Sequence, residues 1–102
     1  MDQRRIQLNE KLSQILGSKN VYFNPPESIK LKYPAILYKR TGVDVQRADN
    51  DVYKSIKRYD ITIISPDPDN GLADKVIKEL KGYYNTCYTA DNLYHDSLTI
   101  YY

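Results

Sequence analysis

The sequence predicts an α+β domain, with two helices packed on one face of a mostly antiparallel sheet in the order α-β-β-β-α-β-β. Three observations predict it. Two segments repeat their aliphatic residues at helical spacing and run into a glycine. The segment Ser55 to Ser65 alternates residue by residue, as a strand does. The C-terminal segment is rich in Tyr and Thr on both sides of Asp91-Asn92, which reads as a hairpin. At 102 residues the chain has room for one domain, residues 1–102.

The first helix is expected over Asp2 to Leu16. Asp2 can cap its first amides. Ile6, Leu12, Ile15 and Leu16 fall near one face, with Leu8 to the side. Gly17 is the stop, because glycine enters the left-handed region without steric cost. Val21-Tyr22-Phe23 is a short extended piece. Pro25 and Pro26 then exclude helix and central strand, since each removes a donor and fixes φ. Tyr33-Pro34 restarts the chain in extended geometry, because a residue before proline avoids the α region. Ala35 to Lys39 is a strand, with Pro34 tolerable only at its first position or on an edge.

Thr41 to Lys54 has few aliphatic residues and reads as a long exposed loop or a frayed hairpin arm, at about 41–54. Such a loop is uncommon in a small domain and often carries function. The second half of Ser55–Ser65 is apolar on both faces, which puts that strand in the middle of the sheet. Asp67 is expected to cap the second helix, with Pro68 at its first position and Asp69 at the positive end of its dipole. Leu72, Val76, Ile77 and Leu80 form its apolar stripe. Lys81 lies near its end and Gly82 terminates it. Tyr83 to Thr89 and Leu93 to Tyr102 are the hairpin strands.

Composition narrows the function classes. Leu, Ile, Val and Phe make up near a quarter of the chain, above the range of disordered chains. The formal charge of +2 is too balanced to imply a polyanion partner. No apolar run reaches the ~20 residues of a membrane span, and the Met1-Asp2-Gln3-Arg4-Arg5 start lacks a signal-peptide core. One cysteine excludes an intramolecular disulfide and a Cys-rich zinc site, and points to a reducing compartment.

Each residue set that suggests chemistry has a plainer reading. His95 and Asp96 are adjacent on a strand and point to opposite faces, so they do not form a catalytic pair directly. A strand histidine bonded to a neighbouring backbone or tyrosine is the alternative. Cys87 has no basic neighbour in sequence to make it reactive. Asp67, Asp69 and Asn70, with Asp49, Asn50 and Asp51, lack the spacing and trailing Glu of an EF-hand. Capping and turns account for the first set. Tyr53, Lys54, Lys57, Arg58 and Tyr59 resemble a single-strand nucleic-acid platform in composition. Asp49, Asp51 and Asp60 offset that charge, and a Tyr-rich face suits a protein interface. No catalytic group, metal site or cofactor is therefore expected.

Three segments, in order, resemble one family. They are Tyr22-Phe23-Asn24-Pro25-Pro26-Glu27-Ser28 with Lys30-Leu31-Lys32-Tyr33-Pro34-Ala35-Ile36, then Lys57 to Ile64 with Asp67-Pro68-Asp69, then Asp91-Asn92-Leu93-Tyr94-His95-Asp96 with Leu98 to Tyr102. The family is the small tail-completion or tail-terminator proteins of long-tailed phages and prophages, also known as head–tail joining or minor capsid proteins. The resemblance implies a fold of the lambda tail-terminator type and no enzymatic activity. It implies a homo-oligomer, a hexameric ring, on the head-proximal end of the tail tube, touching tail tube protein and head connector proteins. It places the protein in the virion tail or neck after synthesis in the bacterial host cytoplasm. DNA passing the ring would be met without sequence readout. A head-side connector and, further off, a small single-strand nucleic-acid-binding module are the alternatives. A ring needs two different patches per subunit. The residues expected to supply one are Arg40, Asp44, Arg47, Asp49, Asp51, Tyr53, Lys54 and Arg58.

Overall fold

The computed structural model describes residues 3–26, 28–48 and 51–102, with the backbone alone for 44–48, 51–55 and 81. The elements are α1 (Gln3–Leu16), β1 (Val21–Phe23), β2 (Ala35–Ala48), β3 (Asp51–Ser65), α2 (Leu72–Glu79), β4 (Lys81–Ala90) and β5 (Leu93–Tyr101). The five strands form one sheet in the order β1-β2-β3-β5-β4. β1 runs parallel to β2 and all other pairs are antiparallel. This is an α+β fold with the expected element order.

Strand alternation sorts the sheet into two faces. Ile36, Tyr38, Tyr59, Ile61, Ile63, Leu98 and Ile100 share the face that meets Leu8 and Leu12 of α1 and Leu72 and Val76 of α2, and all are buried. Tyr38 and Tyr59 enter this core as tilted neighbours, ring centroids 5.9 Å apart. The Tyr38 hydroxyl donates to Asn9 Oδ1 at 2.7 Å, which satisfies a polar tip otherwise costly to bury. α1 lies against β1 and β2, and α2 against β4 and β5.

α1 differs from its expected face. Leu8 and Leu12 are fully buried and Ile6 is exposed. Leu8 and Leu12 are one turn apart, and Ile15 continues their stripe, so Leu8 is central to it. Gly17 ends the helix at φ 81°, its amide bonded to the Ser13 carbonyl at 2.8 Å. The Asp2 cap lies outside the described residues.

α2 begins later than expected. Asp67 does not cap it. Its Oδ1 accepts from the Asp69 amide at 2.9 Å, closing a local turn before the helix. Asp69 therefore precedes the helix as well, and Gly71, at φ 69°, takes the N-cap position. Asn70 Oδ1 accepts from the Leu72 amide at 2.9 Å. At the other end the helix stops at Glu79, and Lys81 and Gly82 already belong to β4. Gly82 serves packing: a Cβ there would meet the Thr99 carbonyl oxygen and come within 2.7 Å of Ile100 Cγ2.

β4 and β5 are joined by Asp91-Asn92, at φ 54° and 62°. Two consecutive positive values are the mark of a two-residue turn whose twist matches the flanking strands. Residues 41–48 and 51–54 are strand, paired from Gly42↔Arg58 to Ala48↔Asp51. β5 pairs with β3 only as far as Tyr101↔Arg58. After one further bond, from the Tyr102 amide to the Lys57 carbonyl, β2 and β3 continue among the described residues as a two-stranded arm. The molecule is accordingly elongated, 52 × 25 × 22 Å.

Candidate assembly surfaces

The root of the arm is built from Thr41, Gly42 and Arg58. The register slips between Arg40 and Gly42, leaving Thr41 as a bulge. A bulge takes a backbone carbonyl out of the ladder, and Arg58 meets it. Its Nη2 donates to the Thr41 carbonyl at 3.2 Å and its Nε to Thr41 Oγ1 at 3.3 Å. The guanidinium lies flat over Gly42, where a Cβ would come within 2.8 Å of Nη2. Arg40, one position before the bulge, donates from Nη2 to the Tyr59 hydroxyl at 3.0 Å. Its guanidinium also sits over the Tyr59 ring, 5.5 Å from the centroid.

Two of the expected interface cations, Arg40 and Arg58, are thus brought together at the arm root, bonded within the chain. Asp44, Arg47, Asp51 and Lys54 are placed on the arm by register, Asp44 opposite Ile56, Gln46 opposite Lys54, Arg47 opposite Val52 and Ala48 opposite Asp51, and Tyr53 falls at a second register slip between Lys54 and Val52. Asp49 lies outside the described residues, and so do the side chains of Asp44, Arg47, Asp51, Tyr53 and Lys54. The bulge itself was not anticipated. Its signal is the Thr41-Gly42 pair inside an otherwise strand-like run, since an isolated strand glycine marks a bulge or a close approach.

The second surface is the β4 edge. β4 is last in the sheet order, and Tyr83, Tyr84 and Tyr88 on it are about half exposed, as is Tyr94 on β5 to a smaller degree. Tyr84 donates from its hydroxyl to Asp96 Oδ1 at 2.6 Å. That bond to a carboxylate holds the phenol proton and pushes its pKa upward. Tyr83 leans on Tyr101, ring centroids 6.4 Å apart.

The open face of the sheet carries a polar chain. Asn85 Nδ2 donates to Thr99 Oγ1 at 2.8 Å, and Thr99 Oγ1 donates to Asp60 Oδ1 at 3.2 Å. Asp60 is therefore part of a hydrogen-bonded row in the sheet.

His95 stacks on Tyr88, centroids 4.7 Å apart and planes 15° apart. Its Nδ1 lies 3.1 Å from the Leu93 carbonyl oxygen, a contact made by the Nδ1–H tautomer. Asp96 is on the other face with Tyr84, so the two neighbours are not brought together. Cys87 is a free, exposed thiol. Among the described residues no group of three His, Cys, Asp or Glu is placed to hold a metal ion. No helix there is long and apolar enough to cross a membrane. Compared with known proteins, the chain matches no family model and no curated sequence.

Proposed function

We propose that the chain is a structural subunit of a phage or prophage tail, which assembles as a ring, completes the tail tube and joins it to the head. The observation that carries this reading is the arm. Among the described residues, β3 beyond the Tyr102 amide's bond to the Lys57 carbonyl pairs with β2 alone. A two-stranded ribbon is marginally stable in water on its own, so a ribbon of this length is suited to being held by another chain. The arm and the β4 edge are different surfaces at different places on the subunit. Contacts between unlike patches generate rings when the rotation closes. The resemblance of the three sequence segments to tail-completion proteins supplies the tail context.

Light scattering across concentration and salt, with negative-stain images of the same sample, tests the proposal. A closed ring of six, and decorated ends on purified tail tubes, is the expected result. A strict monomer that also leaves tube ends bare overturns it. Ring-shaped particles that bind isolated head connectors and ignore tubes would move the protein to the head side of the neck.

A further inference from the structure

We infer that successive copies of this chain dock flank to flank, the acidic β4 flank of one against the basic β1 flank of the next. The inference rests on the ring reading above and gives the β4 edge its counterpart on the next copy, which leaves the arm for the tail tube. Residues 1–40 hold eight Lys and Arg against three Asp and Glu, whereas residues 66–102 hold three against six. Residues 41–65, between them, are balanced, four against four. The near-neutral total thus conceals a polar sequence. The fold turns that polarity into geometry. Residues 3–40 build α1, β1 and the first part of β2 at one end of the sheet, and residues 66–101 build α2, β4 and β5 at the other.

On balance exposed side chains follow the same division, with Lys75 and Lys78 on α2 and Glu10 on α1 running against it. Lys19, Lys30, Lys32 and Lys39 are exposed on the β1 side, and Asp67, Asp69, Asp74 and Asp91 on the β4 side. Apolar surface accompanies the charge on both: Ile29 and Tyr33 beside the lysines, Tyr83, Tyr84 and Tyr88 beside the aspartates. Tyrosine offers large contact area with a polar tip, and its ring accepts a cation. β4 also presents an unpaired backbone edge, a ready template for another chain. Ten residues of β4 span roughly 33 Å, on a molecule 22–25 Å thick. That flank offers on the order of 700 Å², close to the ~800 Å² per partner of a standard interface.

The occupant is a second copy because the complement lies on the same molecule. Opposite signs on opposite flanks forbid a two-fold contact, which would set like against like, and favour a head-to-tail one. Complementary charge of this kind steers encounter and fixes orientation, and salt weakens it over a screening length of about 8 Å at physiological ionic strength.

Two charge-reversed chains test the inference. One carries Asp69→Lys and Asp74→Lys with Asp91→Asn, which keeps a residue suited to positive φ in the turn. The other carries Lys19→Glu, Lys30→Glu and Lys32→Glu. All six sites are exposed, and circular dichroism and melting confirm that each variant folds. Each alone should raise the concentration for half-assembly by about tenfold or more, because like charges then face each other. Mixed one to one, the two should assemble again, since each variant's altered flank now complements the other's. Variants that assemble like the parent, or a mixture that stays dissociated, overturn the flank pairing while leaving the ring reading intact. A parent chain monomeric at low salt overturns the pairing too. Decorated tail-tube ends in that same sample keep the tail role, and bare ends remove it.

Discussion

The body of the sheet and its arm are made of the same two strands, yet they are held together differently. Below Arg58, β3 has a neighbour on each side and a helix layer over one face, and Tyr59, Ile61 and Ile63 are fully buried. Above it, past a last bond from the Tyr102 amide to the Lys57 carbonyl, the described part of β3 pairs with β2, and Val43 on the facing strand is about half exposed. The body draws its stability from apolar burial, the arm from ladder bonds and from the Arg58 contacts at its root. The comparison teaches that one strand can serve two purposes when the change of regime is marked by a bulge.

The largest stability effect is expected in the body. Ile61→Ala or Tyr59→Ala should cost about 3–5 kcal/mol, read as a large fall in melting temperature, whereas Val43→Ala on the arm should stay within ~0.5 kcal/mol. Equal effects at both places would erase the distinction. Next is Gly82→Ala, expected to cost about 1–3 kcal/mol, because the new methyl meets backbone of β5 that has little room to yield. Arg58→Ala should cost about 1 kcal/mol, and amide exchange should quicken in residues 42–48 and 51–57 while the helices keep their protection. Exchange that quickens everywhere would mean the arm and body open as one unit.

Tyr38 sharpens the comparison on the body side. Burial pushes its phenol pKa above the usual value near 10, with Arg5 pulling in the other direction. The unfolded chain then loses this proton before the folded one. Stability should be intact below pH 10 and fall as pH rises from there through the raised folded value. Tyr38→Phe should flatten that fall and cost about 1 kcal/mol at neutral pH through the lost bond to Asn9. A pH profile unchanged in that variant would assign the alkaline loss to other groups. The smallest effect on stability is expected from deleting residues 44–51, under about 1 kcal/mol for the body, since the described core lies in the helices and the body of the sheet. The same deletion should abolish tail attachment, whereas the flank pairing predicts that the subunits still associate. Tail attachment that survives it would leave the arm without a role.

Much of the fold was legible in the sequence because its signals are local. Gly17, the Ser55–Ser65 alternation and Asp91-Asn92 each state their conformation within a few residues. The second helix was misplaced by a local signal with two meanings. Asp67-Pro68 fits a cap and first turn, and it fits equally a turn closed on the Asp69 amide; Gly71 decides between them only once its backbone is left-handed. The first helix was rotated because Ile6 and Leu8 compete for the same stripe, and the sheet beneath selects Leu8. The candidate assembly residues are read from composition, which does not carry their geometry. A run such as Arg40 to Arg58 announces charge, but not that two of its cations are bonded to Thr41 and Tyr59. Those partners come from a register slip, which depends on two strands at once.

The clamp at the root of the arm also sets a lever. From Gly42 to Ala48 the paired ribbon extends roughly 20 Å at ~3.3 Å per residue. A tilt of about 10° at the root carries the end through roughly 3.5 Å, comparable to the rise of a single strand residue. Arg58, lying flat over Gly42 and bonded to Thr41, is the part that limits that angle. In the assembly proposed above, the fidelity with which the arm end meets its partner is therefore set at the fulcrum, by a side chain some 20 Å away.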